Sequence, residues 1–127
     1  MGSPLGCDDG TLKKESALWI WITTLMKAME VAQRPLVAAQ WKPFLEDAGF
    51  EEVVETVHKW PINSWARDPK YKTLGRWSLL NTDQVIESAL LAPVTRFLGW
   101  TEEEAKTLAT NARKVIKDPR VHSYWPM

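Results

Sequence analysis

Early in the chain, apolar residues recur three and four positions apart: Leu18, Ile22, Leu25 and Met29, widened by Trp21 and Ala32. That spacing lays them along one stripe of a helix, while Lys13, Lys14, Glu15, Lys27 and Glu30 fall mostly off it. Arg34-Pro35 ends this long helix, and Pro35 suits the opening of the next, where its missing N–H would be unpaired anyway. Pro43 predicts a kink or a restart near Lys42. Leu45, Ala48 and Phe50 put apolar groups near the following helix end, and Gly49 closes it at little conformational cost. From 52 to 60 the pattern changes. Val53, Val54, Thr56 and Val57 are β-branched and favour an extended chain. Alternation would place Val54, Thr56, His58 and Trp60 on one face, with Val53, Glu55, Val57 and Lys59 on the other. Pro61 is expected to end the pairing, and Ile62, Asn63 and Ser64 to turn the chain.

Asp68-Pro69 repeats helix-start chemistry, a side-chain acceptor followed by a proline fixed at a helical φ. The pattern predicts a short helix to about Trp77, limited by Gly75. Asn81 or Thr82 would cap the next helix, whose face runs through Val85, Ile86, Ala89, Leu90, Val94 and Phe97, with a kink at Pro93. Gly99 closes it. Thr101 and Glu104 form a capping box before Ala105, Leu108, Ala109, Ala112, Val115 and Ile116, until Asp118-Pro119 stops the helix. Residues 121–125 would extend again, with His122 and Tyr124 on one side.

These elements predict a mainly α fold with a small β element (α+β), five to six helices around one or two strands. Its 127 residues suit a single domain over 1–127, with 1–10 flexible and the opening MGSPLG given no structural role. A lone strand exposes backbone donors and acceptors, so it must pair with 121–125, with a second copy or with a partner; a homodimer covering the edges is the expectation.

Eight tryptophans are many for this length, and each brings a large apolar area with one N–H, suiting core or pocket wall alike. Sixteen basic and sixteen acidic residues cancel, with no clustered basic stripe, so nucleic acid is not an expected partner. Cys7 is the single cysteine, which excludes an intrachain disulfide and a cysteine-based metal site. Neighbouring Asp8 and Asp9 disfavour its thiolate. Trp19 to Met29 is apolar but broken by Lys27 and too short to span a bilayer, and no secretory leader is evident. The expectation is a soluble cytoplasmic protein without a membrane partner, the nucleus being the alternative compartment.

The run AGFEEVVETVHKWPINSWARDPKYKTLGRW resembles the late part of the fungal class I S-adenosylmethionine-dependent methyltransferases related to the velvet-complex regulator of secondary metabolism. DDGTLKKESALW, LGWTEEEAKTLATNARKVIKD and RVHSYWP resemble the same family in the same order, so the likeness covers nearly the whole chain. The resemblance implies the end of a mainly parallel sheet and an acceptor-substrate side. It also implies an N-terminal donor-binding half, which would precede Asp8 and is absent here. A donor cradle needs closely spaced glycines after a first strand, and none of Gly2, Gly6, Gly10, Gly49, Gly75 and Gly99 forms a G-x-G. No cofactor is therefore expected, and no metal, since zinc spacing is missing.

The sharpest candidate chemistry is His58 and His122 on strands that would become antiparallel neighbours, each able to move a proton near neutral pH. Tyr124 would donate to a developing oxyanion. Trp19, Trp60, Trp65 and Trp77 would wall an aromatic pocket, with Arg76 and Lys59 orienting a carbonyl or enolate. The same residues also read as ordinary core and hydrogen-bonded structure. Asp8 and Asp9 are the next candidates, adjacent carboxylates able to shift each other's pKa, although a solvated loop or helix cap is the stronger reading; Glu51, Glu52 and Glu55 could supply a base, with Glu55 alone well inside the strand. The leading expectation is a truncated methyltransferase-like protein of fungal secondary metabolism, acting without a cofactor as an acid–base cyclase or isomerase on a small molecule. Its rivals are a non-catalytic protein-interaction module and one piece of a split methyltransferase.

Overall fold

A computed structural model describes residues 4–127. The elements are β1 (Gly6–Cys7), α1 (Ala17–Val31), a 3-10 turn (Ala38–Gln40), α2 (Trp41–Asp47), β2 (Lys59–Pro61), α3 (Pro69–Val85), α4 (Ser88–Phe97), α5 (Glu102–Ile116) and β3 (Ser123–Pro126). The architecture is the α+β one expected, mainly helical with one small sheet. That sheet has the order β1-β3-β2 and is antiparallel at both junctions.

Helices α1, α4 and α5 pack on one another and hold the core. Leu18, Leu90, Val94 and Ile116 are fully enclosed there beside buried Ile22, and Ala105, Ala109 and Ala112 let α5 lie close to its neighbours. Ser16 caps α1 by accepting from the Trp19 N–H, and Trp21 donates its indole N–H to the Ile86 carbonyl at 2.8 Å inside the core. Thr101 and Glu104 form the anticipated capping box of α5. Leu5, in a stretch to which the sequence pattern assigns nothing, is also buried in the core.

Several boundaries differ from the sequence expectation. Pro35 opens no helix; the chain restarts at the 3-10 turn and α2 begins at Trp41, with Pro43 in its first turn, where a missing N–H is harmless. Gly75 does not stop α3, which runs on through Asn81 and Thr82 to Val85. Its lack of a side chain serves packing instead: a Cβ there would lie 1.9 Å from the Asn63 carbonyl oxygen. The break falls at Ile86-Glu87, before α4.

The strand expected over 52–60 is confined to Lys59–Pro61. His58 and Met127 exchange N–H···O bonds in both directions, and there the ladder runs out; 53–57 form no strand pairing among the described residues, and Glu52 takes a left-handed φ of +55°. Pro61 does not end the pairing. The N–H groups of His58 and Ile62 point at β3 and donate to Met127 and Ser123, so Pro61 stands at a register position that needs no donor. Because β2 finds β3 within the chain, the sequence motive for a second copy at this edge is met internally.

Candidate functional site

The register of the sheet decides which side chains meet. Tyr124 lies opposite Pro61 on one side and Gly6 on the other, so Lys59, Pro61, His122 and Tyr124 share one face, and Trp60 with Trp125 shares the other. Gly6 makes room for this arrangement, since a Cβ on it would lie 2.3 Å from the Tyr124 ring. The phenol therefore crosses β1 and donates to Asp8 Oδ1 at 2.8 Å. Lys59 Nζ reaches Asp8 Oδ2 at 2.6 Å and lies 5.0 Å from the Tyr124 ring centroid.

A second pair stands beside the first. His122 Nδ1 is 2.5 Å from Asp9 Oδ2, while the hydroxyl of Thr11 donates to Asp9 Oδ1 at 2.8 Å and accepts the His122 backbone N–H at 2.8 Å. The Thr11 N–H also donates to Asp9 Oδ1, an Asx turn that aims the carboxylate at the ring. Trp65 flanks the imidazole with centroids 5.1 Å apart, and its own indole N–H donates to the Ser123 carbonyl at 2.8 Å. Buried Asn63 anchors this turn: its amide donates to the Ile116 and Asp118 carbonyls at the end of α5, and its oxygen accepts from the Trp65 N–H.

The electrostatics follow from these bonds. The His122 ring and then Thr11 hold the Asp9 carboxyl far below the usual carboxylate range. Lys59 and then Tyr124 lower Asp8, which in turn raises both Lys59 and the Tyr124 phenol. Both acids are thus ionised, Lys59 is an ammonium, and the Tyr124 proton is committed to Asp8. With Asp9 accepting, Nδ1 carries the proton in neutral His122 and Nε2 is left as a lone-pair nitrogen.

Four of the residues singled out in the sequence come together here: Lys59, Trp65, His122 and Tyr124. The expected approach of the two histidines does not occur. His58 pairs with Met127 and His122 lies beyond Ser123 at the other end of the ladder, about 16 Å away for five positions at ~3.3 Å each. Trp60 is on the opposite sheet face, Arg76 and Trp77 are exposed on α3, and Trp19 belongs to α1. Glu51, Glu52 and Glu55 are exposed on the segment before β2. Asp8, Asp9 and Thr11 are the residues that sequence reasoning undervalued. Their available signal was Asp9-Gly10-Thr11, an aspartate turn closed by a glycine at φ +72°.

Two hollows lie elsewhere. One of about 520 Å³ is lined by Glu102, Lys106, Thr110 and their neighbours on α5, and one of about 490 Å³ by Trp100, Leu108 and Asn111 among others; both are shallow and open. Neither borders His122. Among the described residues no group of three or more His, Cys, Asp or Glu is placed to hold a metal ion. Among the described glycines, Gly6 and Gly75 are overlain by Tyr124 and by the Asn63 backbone, and Gly10, Gly49 and Gly99 have φ of +72°, +95° and +70°. No described helix is long and apolar enough to cross a membrane.

This is a small α+β unit with a polar, histidine-bearing sheet face. Its relatives are fungal proteins of the methyltransferase class. The chain is 34% identical over its whole length to the Probable methyltransferase tdiE of Emericella nidulans, of which it spans 40%. It is 36% identical, over 93% of its length, to the Secondary metabolism regulator laeA of Monascus pilosus, spanning 32% of that protein. To the Protein-methionine methyltransferase laeA of Chaetomium globosum it is 34% identical over 92% of its length, spanning 37%. The chain is thus homologous to a part, 32–40% of the length, of these proteins. No family model matches it, and no solved structure does.

Proposed function

We propose that this chain supplies the acceptor-facing portion of an S-adenosylmethionine-dependent methyltransferase and works with a donor-binding unit lying outside residues 1–127. The observation that carries the reading is the similarity of 92–100% of the chain to segments of proteins named as methyltransferases. The missing glycine cradle supports placing the donor elsewhere. In this role His122 Nε2 takes the proton from an acceptor heteroatom, Asp9 steadies the imidazolium, and Lys59 and Tyr124 orient the acceptor's polar groups. The relatives' names point to no single acceptor class, one being a regulator of secondary metabolism and another a protein-methionine methyltransferase.

The Asp9–His122 pair also favours a second reading, proton transfer without any donor, as in a cyclase or isomerase. One set of measurements separates the two. Under the methyltransferase reading, calorimetry detects no S-adenosylmethionine binding by this chain alone, and gel filtration shows it forming a complex with the segment of the Emericella nidulans relative outside the match. Tight donor binding by the chain alone, or no complex, overturns that reading. Under the acid–base reading, the chain speeds deuterium uptake at the α-carbon of a diketone, followed by NMR, and His122→Gln abolishes the gain. A rate equal to that in buffer rejects it.

A further inference from the structure

The geometry points to a reciprocal dimer in which the arm formed by residues 36–58 of one copy docks on the outward face of α3 of the other. The arm is poorly covered by its own chain. None of the residues of α2 is buried, and α2 packs substantially only on the 3-10 turn before it. Trp41 and Phe50 are each 62% exposed and Val54 is 84% exposed, beside exposed Leu36, Phe44 and Val57. Exposed apolar side chains concentrated in one short segment mark a contact site.

Charge identifies the occupant. Glu46, Asp47, Glu51, Glu52 and Glu55 give the arm five acids against the single base Lys42. The opposite sign is concentrated a short way along the chain, where Arg67, Lys70, Lys72 and Arg76 face only Asp68. On α3, Lys70, Arg76, Trp77 and Leu80 fall on the side away from Gly75 and buried Thr82, with Trp77 68% exposed. A chain of zero net charge thus carries an acidic apolar arm and a basic apolar helix face, and none of the ion pairs among the described residues joins the two. Two copies related by a two-fold axis bring each arm onto the other's α3, satisfying both surfaces twice. Residues 36–58 match the roughly 20–30 residues a side of a stable interface, and Trp41 and Trp77 are the residue type that most often anchors one. The inference is independent of the methyl-transfer reading and of the sheet edges, which are paired or short.

The test is a charge swap read by light scattering. The wild-type chain should elute near twice its 14.5 kDa. The variant Glu46→Lys/Glu51→Lys/Glu55→Lys and the variant Lys70→Glu/Arg76→Glu should each run as monomers with unchanged circular dichroism. Mixing the two restores attraction at both contacts, reversed arm on reversed helix and native arm on native helix, so the mixture should regain the dimer mass. A monomeric wild type, a dimer persisting in either variant, or a mixture that stays monomeric overturns the proposal.

Discussion

Asp8 and Asp9 are adjacent in sequence yet serve different partners, because neighbouring side chains diverge. One neutralises Lys59 and fixes a phenol; the other orients an imidazole. Asp118 plays a comparable part at the end of α5, where Arg120 grips it through two side-chain bonds and holds its carboxyl down at about 2. A carboxyl lowered by folding stabilises the fold above its unfolded value of about 3.9, and that contribution is lost as pH falls through the folded value. Stability should therefore drop between about pH 4 and pH 2, and Asp118→Asn should show a smaller drop in urea midpoint across that window than the native chain. An equal drop in both proteins would exclude Asp118 as a source.

The elements differ in how far local residues determine them. Thr101-Glu102-Glu103-Glu104 contains its own cap, and Asp68-Pro69 likewise starts α3 with local atoms, its carboxylate accepting from the Lys70 and Tyr71 N–H groups. Those boundaries were legible because everything that makes them lies within four residues. Val53 to Val57 read as strand for equally sound local reasons, but a strand also needs a neighbour, and β3 reaches only as far as His58. Gly75 looked like a helix breaker for the same reason that it is needed: absence of a side chain is locally unfavourable and globally required. Gly75→Ala should destabilise the chain by about 1–3 kcal/mol despite alanine's better helix propensity, measured as a lower urea midpoint. A raised midpoint would mean that α3 and the Asn63 turn can separate freely. The site was half legible. His122, Tyr124, Lys59 and Trp65 stand out by residue type, whereas Asp9 and Thr11 reach His122 across more than a hundred residues of chain, a contact that only the tertiary fold can reveal.

At the scale of the molecule, stability and exposed apolar surface are kept apart. The α1–α4–α5 core carries the fold, and the arm over 36–58 adds little to it within one copy. In the monomeric charge-reversed background, Leu90→Ala should cost about 2–5 kcal/mol, because Leu90 is fully enclosed and its loss leaves a cavity. Phe44→Ala in the same background should stay within about 0.5 kcal/mol. Comparable losses from both, by chemical denaturation, would show that the arm belongs to the cooperative core after all.

The pairing of Gly6 with Tyr124 brings the opening residues alongside the closing ones on neighbouring strands. The described residues therefore nearly close on themselves. A short flexible bridge between the two termini, with new ends cut at Gly49, would give a circular permutant that preserves every rung of the sheet and every core helix.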